Sequence, residues 1–200
     1  MPEYWWVNHK QTFRQEIDGQ YLWSPKTQSN GARSEFYDNM RRATPGDLVL
    51  SYANGLISYI GRVAEFAFTA PKPDEFRGIG AYWNREGWLL PIFWTPVTPP
   101  VRPKSLIANL RPHLPIRYSP IRPSTGDGNQ AVYLASIPQG LFEIISTFAS
   151  YDELRLARGG ANSLTFEIVT EMLEDIEEAR IAADQKLDDY FMTFALLARS

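Results

Sequence analysis

Asn54-Gly55 stands between two apolar runs, residues 48–52 and 57–66. Few short signals constrain a chain so strongly. Two residues that tolerate positive φ, flanked by β-formers, close an antiparallel hairpin. Any fold of this chain must contain that pair in a sheet. Other strands gather round it. Residues 3–8 (EYWWVN) form a first strand, with Tyr4, Trp6 and Asn8 on one face and Trp5 and Val7 on the other. Residues 87–94 (GWLLPIFW) form a strand whose internal Pro91 implies an edge or a bulge. Residues 96–103 are proline-rich and extended, and residues 131–137 form a last strand.

Short helices are interleaved with these strands. Residues 12–17 form one, ended by Gly19. Residues 34–43 form another, with Ser34 as N-cap and Phe36, Met40 and Ala43 on a shared face. Residues 104–110 form a third, and residues 140–148 a fourth, with Phe142, Ile145 and Phe148 on one side. Residues 21–23 are a brief extended piece before a Ser24-Pro25 turn, and Pro45-Gly46-Asp47 leads into the hairpin. The first 150 residues are therefore α+β, a curved sheet or small β-barrel flanked by short helices.

From residue 162 the period changes. Val169, Met172, Ile176, Ala179, Ala183, Leu187, Tyr190, Phe194 and Leu197 recur at spacings of three and four, with acidic residues between them. That pattern predicts a long C-terminal amphipathic helix. The chain is thus divided into a domain over 1–150 and a helical extension over 151–200. The extension reads either as a helix packed on its own domain or as a linker or dimerisation arm. Charge divides at the same place. Residues 1–150 carry 15 Lys and Arg against 12 Asp and Glu, and residues 151–200 carry 5 against 11.

The chemistry of catalysis is thin. Only His9 and His113 are present, and Cys is absent, so no disulfide framework or thiolate zinc site is expected. A metal-dependent nuclease centre is not expected in this chain, and no catalytic residue or cofactor is assigned. No GxSxG elbow or GxxxxGK[ST] loop occurs, and Gly78-Ile79-Gly80 does not extend into GxGxxG, because residue 83 is Trp. The N-terminus lacks a basic segment followed by an apolar one, and no apolar run reaches membrane-spanning length. A cytoplasmic location with no membrane partner is expected.

Two features ask for a ligand. No carboxylate lies between Glu86 and Asp127, while Arg102, Lys104, Arg111, His113, Arg117 and Arg122 do. Single cations spaced along a proline-rich backbone can follow a phosphate chain, and Lys10, Lys26 and Arg33 extend that set. The second feature is residues 20–40, QYLWSPKTQSNGARSEFYDNM, which mount aromatic rings on a turn-rich polar segment. Flat rings beside amides and hydroxyls suit a flipped base: the rings stack it and the polar groups read its edge.

Residues 4–63 resemble the EVE domain, a PUA-like group that includes YTH domains. The matching features are Tyr4-Trp5, Trp23, the helix running from Asp38 into Pro45-Gly46-Asp47, and Gly61-Arg62-Val63. The YWWVN opening and the block LWSPKTQSNGARSEFYDNMR look closest to the reader domain of EVE–HNH modification-dependent restriction endonucleases. The resemblance implies a PUA-like (EVE/YTH-like) fold that takes 5-methylcytosine or 5-hydroxymethylcytosine out of double-stranded DNA. It implies Trp23 as one wall, Ser24 as an edge contact, and Asn8 and His9 at the polar end of the first strand. Tyr118 is the choice for the third element, with Tyr37 and Asn39 added from their place on the second helix. No HNH metal site follows, so a nuclease would be a separate domain or partner. Three other readings stay open: an RNA reader of a modified ribonucleotide, an enzyme using Glu35 or Asp38 as acid or base, and an assembly domain acting through the acidic helix.

Overall fold

A computed structural model describes residues 2–129 and 131–151. The expected C-terminal helix lies outside the described residues. Seven strands form one mixed sheet in the order β2-β6-β4-β3-β1-β7, with β5 also paired to β6. The strands are β1 (Tyr4–Asn8), β2 (Tyr21–Pro25), β3 (Leu48–Ala53), β4 (Leu56–Val63), β5 (Phe68–Pro71), β6 (Glu86–Val101) and β7 (Leu134–Ile137). The helices are α1 (Phe13–Asp18), α2 (Glu35–Arg42), α3 (Ile107–Leu110) and α4 (Gln139–Thr147). The α+β expectation holds.

The hairpin is β3–β4, turned by Asn54 at φ 53° and Gly55 at φ 83°. These left-handed values match the strand twist. β1 lies between β3, which it pairs in parallel, and β7, which it pairs antiparallel. Both faces of this strand are also packed, which suits its unbroken run of large apolar residues. Trp6 joins Leu50, Ile60 and the α4 residues Leu141, Phe142 and Ile145. Trp5 and Val7 join Leu22, Met40, Val49 and Leu90 on the other side. Asp47 locks the start of β1. Its buried carboxylate accepts from the Glu3 and Thr44 backbone N–H groups and from Trp5 Nε1, at 2.9–3.0 Å. The Pro-Gly-Asp turn is thereby fixed to the first strand.

Curling of the sheet follows from one side chain. β1 and β2 stand four places apart, about 19 Å if the sheet were flat. Yet Glu16 of α1 bonds His9, just past β1, and the Trp23 backbone N–H in β2, at 2.7 and 3.1 Å. The two strands can share a carboxylate only if the sheet bends its ends together round α1. Trp94 of β6 completes the enclosure by donating Nε1 to the Glu16 carbonyl.

Four local expectations are corrected. Ser24-Pro25 is not a turn, because β2 continues through Pro25 in register with β6. Pro91 marks neither an edge nor a bulge. β6 is central and 16 residues long, and near Pro91 it passes from β2 and β5 to β4. Phe36 leaves the buried face of α2 and Phe148 is 49% exposed. The strand expected over residues 57–66 ends at Val63, and β5 follows as a separate strand.

Candidate nucleic-acid interface

Strand alternation turns Tyr21 and Trp23 to one face of β2 and Leu22 and Ser24 to the other. Trp23 is 1% exposed. Its indole lies against Trp83, with centroids 6.2 Å apart and planes at 28°, and Phe76 meets it edge-on at 5.9 Å. The expected cavity walled by Trp23 is therefore closed in this structure, because Trp83 covers the stacking face. Two glycines make room for the pair. A Cβ on Gly87 would collide with the Trp23 ring, and one on Gly80 with the Trp83 ring.

Trp83 belongs to the connection between β5 and β6. Its neighbour Tyr82 is 70% exposed, and Lys72 places Nζ 5.9 Å from the Trp83 centroid while donating to the Gly80 carbonyl. The signal that marked residues 20–40, rings among glycines and polar groups, is also present in residues 72–84. The sequence reading passed over it.

The polar residues expected to read a base edge have other partners. His9 uses both ring nitrogens, Nδ1 with Glu16 at 2.7 Å and Nε2 with Ser51 Oγ at 2.8 Å. Asn8 donates Nδ2 to the Pro120 and Asn129 carbonyls and accepts from Trp6 Nε1. Asn39 donates to the Leu134 carbonyl and accepts from Arg42. Asn8 and Asn39 tie down distant backbone carbonyls, and His9 bridges the Glu16 and Ser51 side chains, so none of the three is free to face a ligand in this arrangement. Ser24 differs: its Oγ is buried without a hydrogen-bond partner. It lies opposite Trp88 in register, on the face away from the Trp23 ring. Ser24 is thus not placed to read the edge of a base stacked on the Trp23 ring.

Glu16 is the hub that the sequence reading missed. Besides His9 and Trp23 N–H, its carboxylate accepts from Tyr133 OH at 2.6 Å. Burial, then the Glu16 charge, holds the Tyr133 phenol well above its usual range. Ser51, His9 and Glu16 have the order of a nucleophile, base and orienting acid. All three are buried among Phe13, Trp94 and the sheet. Tyr37 meets Tyr133 at 6.4 Å, and its phenol is raised by burial first and then by the Tyr82 phenol. Tyr118 is half-exposed and packs edge-on against Phe36 at 5.5 Å, apart from the Trp23 cluster.

The expected phosphate contacts are all exposed or half-exposed. Lys26 pairs with Glu86 at 2.6 Å, Arg33 with Asp38 at 2.9 Å and Lys104 with Asp127 at 2.9 Å. The Lys104 bond holds the Asp127 carboxyl below its usual range. Glu86 and Asp127, which bound the acid-free window, thus each neutralise a cation. Exposed pairs of this kind are weak and screened by solvent, so a phosphate can replace the carboxylate at small cost. Lys26 and Arg41 also lie over the Trp88 ring, at 4.6 and 5.0 Å. Arg111 donates to the Pro123 carbonyl, Arg117 lies over Tyr118, and Lys10, Arg102 and Arg122 face solvent. Beyond Phe76, an open cleft of about 740 Å³ runs between α1 and residues 75–79, with Arg14 and Arg77 among its lining residues.

No family model matches the chain, and no curated protein matches it. Among solved structures it is similar to the ASCH protein of Zymomonas mobilis, at 8% identity over 74% of this chain and 96% of that one, TM-score 0.46. It is similar to Rpa0253 from Rhodopseudomonas palustris, at 11% identity over 72% and 91%, TM-score 0.46. A third similarity is to the Pho92 YTH domain in complex with m6A, at 12% identity over 76% and 88%, TM-score 0.43. At these scores the likeness assigns neither a family nor a ligand to this chain.

Proposed function

We propose that this chain is a reader of modified nucleic acid that takes one base between Trp23 and Trp83. The observation that carries the reading is the near-parallel pair of indoles 6.2 Å apart, one fixed on a strand and one borne by a connection with an exposed neighbour. A base between two rings requires about 7 Å, twice the ~3.4 Å spacing of stacked bases. The indoles are in offset contact, so residues 80–84 must swing outward by about one ring thickness, ~3.4 Å, to admit a base between them. Each base–aromatic contact contributes roughly 1–3 kcal/mol, against a few kcal/mol for extrusion. Lys72, 5.9 Å from the Trp83 centroid, stands closest to meet the polar edge. The exposed cations hold the backbone.

Modified cytosine in duplex DNA is the base proposed, within a restriction system whose nuclease is a separate domain or partner. The EVE-like pattern of residues 4–63 supports that choice. Binding is measured by fluorescence anisotropy on duplexes that differ only in one cytosine: plain, 5-methyl or 5-hydroxymethyl. RNA oligonucleotides with and without a modified base form a parallel series. A preference for one modified duplex is expected. Trp83→Ala should reduce it by about 5- to 150-fold, the equivalent of one lost stacking contact. Equal affinity for all duplexes refutes the DNA reading, and a preference confined to modified RNA replaces it. An unchanged preference in Trp83→Ala refutes the sandwich.

A further inference from the structure

Ile116 is 103% exposed, the most exposed large apolar side chain among the described residues. A single exposed aliphatic residue is ordinary on a protein surface. What sets this one apart is that its loop is held firmly in place. Leu114 is buried in the core beside α4. Asn8 Nδ2 donates to the Pro120 carbonyl at 2.8 Å, and Ser119 Oγ to the Ile121 carbonyl at 2.7 Å. Tyr118, at φ 62°, lies edge-on to Phe36, with the Arg117 guanidinium 5.7 Å from its ring centroid. The loop presents an apolar tip followed by a cation, inside the stretch that carries no carboxylate.

Its place matters as much as its shape. Phe36, which braces Tyr118, precedes Tyr37 in the first turn of α2. Tyr37 meets Tyr133, whose hydroxyl bonds the same Glu16 carboxylate that holds the Trp23 backbone. A chain of contacts therefore runs from the loop through the first turn of α2, Tyr133 and Glu16 to the backbone of Trp23. Extrusion of a base leaves a gap in the duplex, and apolar side chains are the groups that enter and prop such steps. We propose that Ile116 enters the stack at the position vacated by the extruded base, with Arg117 on the neighbouring phosphate. The ligand is duplex DNA, and the inference rests on the reading of Trp23 and Trp83 as a base sandwich.

The test compares Ile116→Ser with the unaltered chain on the modified duplex and on the matching modified single strand. A single strand has no stack to prop. Ile116→Ser should weaken duplex binding about tenfold and leave single-strand binding within about twofold. Ile116→Phe, which keeps an apolar wedge, should retain duplex affinity. Duplex binding unchanged in Ile116→Ser, or an equal loss on both ligands, overturns the wedge while the unaltered chain's modification preference still stands. An unaltered chain that binds modified and plain duplexes alike overturns the wedge and the sandwich together.

Discussion

Removing the Glu16 carboxylate tests the closure of the sheet directly. Glu16 is fully buried and accepts from the Trp23 backbone N–H, Tyr133 OH and His9 Nδ1. Glu16→Ala strands all three donors in the interior. A buried unsatisfied donor costs about 1–3 kcal/mol, and three are stranded together. Some of the stranded groups can reach water in the vacated space, so the expected loss is about 3–5 kcal/mol. That is a large share of the roughly 5–15 kcal/mol that holds a domain together. Glu16→Gln separates hydrogen bonding from charge. Its carbonyl still accepts from Trp23 N–H and Tyr133 OH. Its amide donates to His9 once the imidazole carries its proton on Nε2, toward Ser51. The expected loss is about 1 kcal/mol. Urea unfolding at pH 7, followed by circular dichroism and indole emission, measures both. A loss under about 1 kcal/mol for Glu16→Ala refutes the idea that this carboxylate joins the sheet ends. Equal losses for the two variants would assign the effect to charge alone.

Two further outcomes follow from the same packing. Gly87→Val drives a side chain into the Trp23 ring and the Ser24 carbonyl; overpacking of this kind costs typically 1–3 kcal/mol, read as a lowered urea midpoint with altered indole emission. Tyr133 should make stability fall in alkali. Its folded phenol is raised well above 10.0, so its contribution is complete below the unfolded value. It is lost as pH rises, because the unfolded chain releases a proton that the folded chain keeps. The slope is up to about 1.36 kcal/mol per pH unit. Tyr133→Phe is weaker at pH 7, and its deficit should narrow above pH 10; a constant deficit in urea midpoints from pH 8 to 11 refutes the assignment.

Turn chemistry made much of this fold legible. Asn54-Gly55 placed the central hairpin, and the dense aromatic pattern of β1 marked a strand. Pro91 misled because a missing N–H usually signals an edge. Here β6 changes partners near that residue, and the Pro91 carbonyl still accepts from Ala64 N–H. The site was read less well, for a different reason. Asn8, His9 and Asn39 have the donors and acceptors a base edge needs, but interior backbone and side-chain groups need the same partners. Composition cannot tell which demand a given amide meets. Trp23 was singled out because its neighbours looked like a site. Trp83 was missed because its loop has no period, although Tyr82, Trp83, Gly78 and Gly80 carried the same aromatic-and-glycine mixture.

The order in which the chain leaves a ribosome gives the placement of β1 a further meaning. That strand is the first to be made, and its second neighbour arrives only with β7, more than 120 residues later. At roughly 5–20 residues per second, its far edge and the Glu16 carboxylate wait on the order of ten seconds for Leu134 and Tyr133. Nascent chains stalled before that point should remain open to protease along their whole length, and resistance should appear in a single step once β7 has emerged.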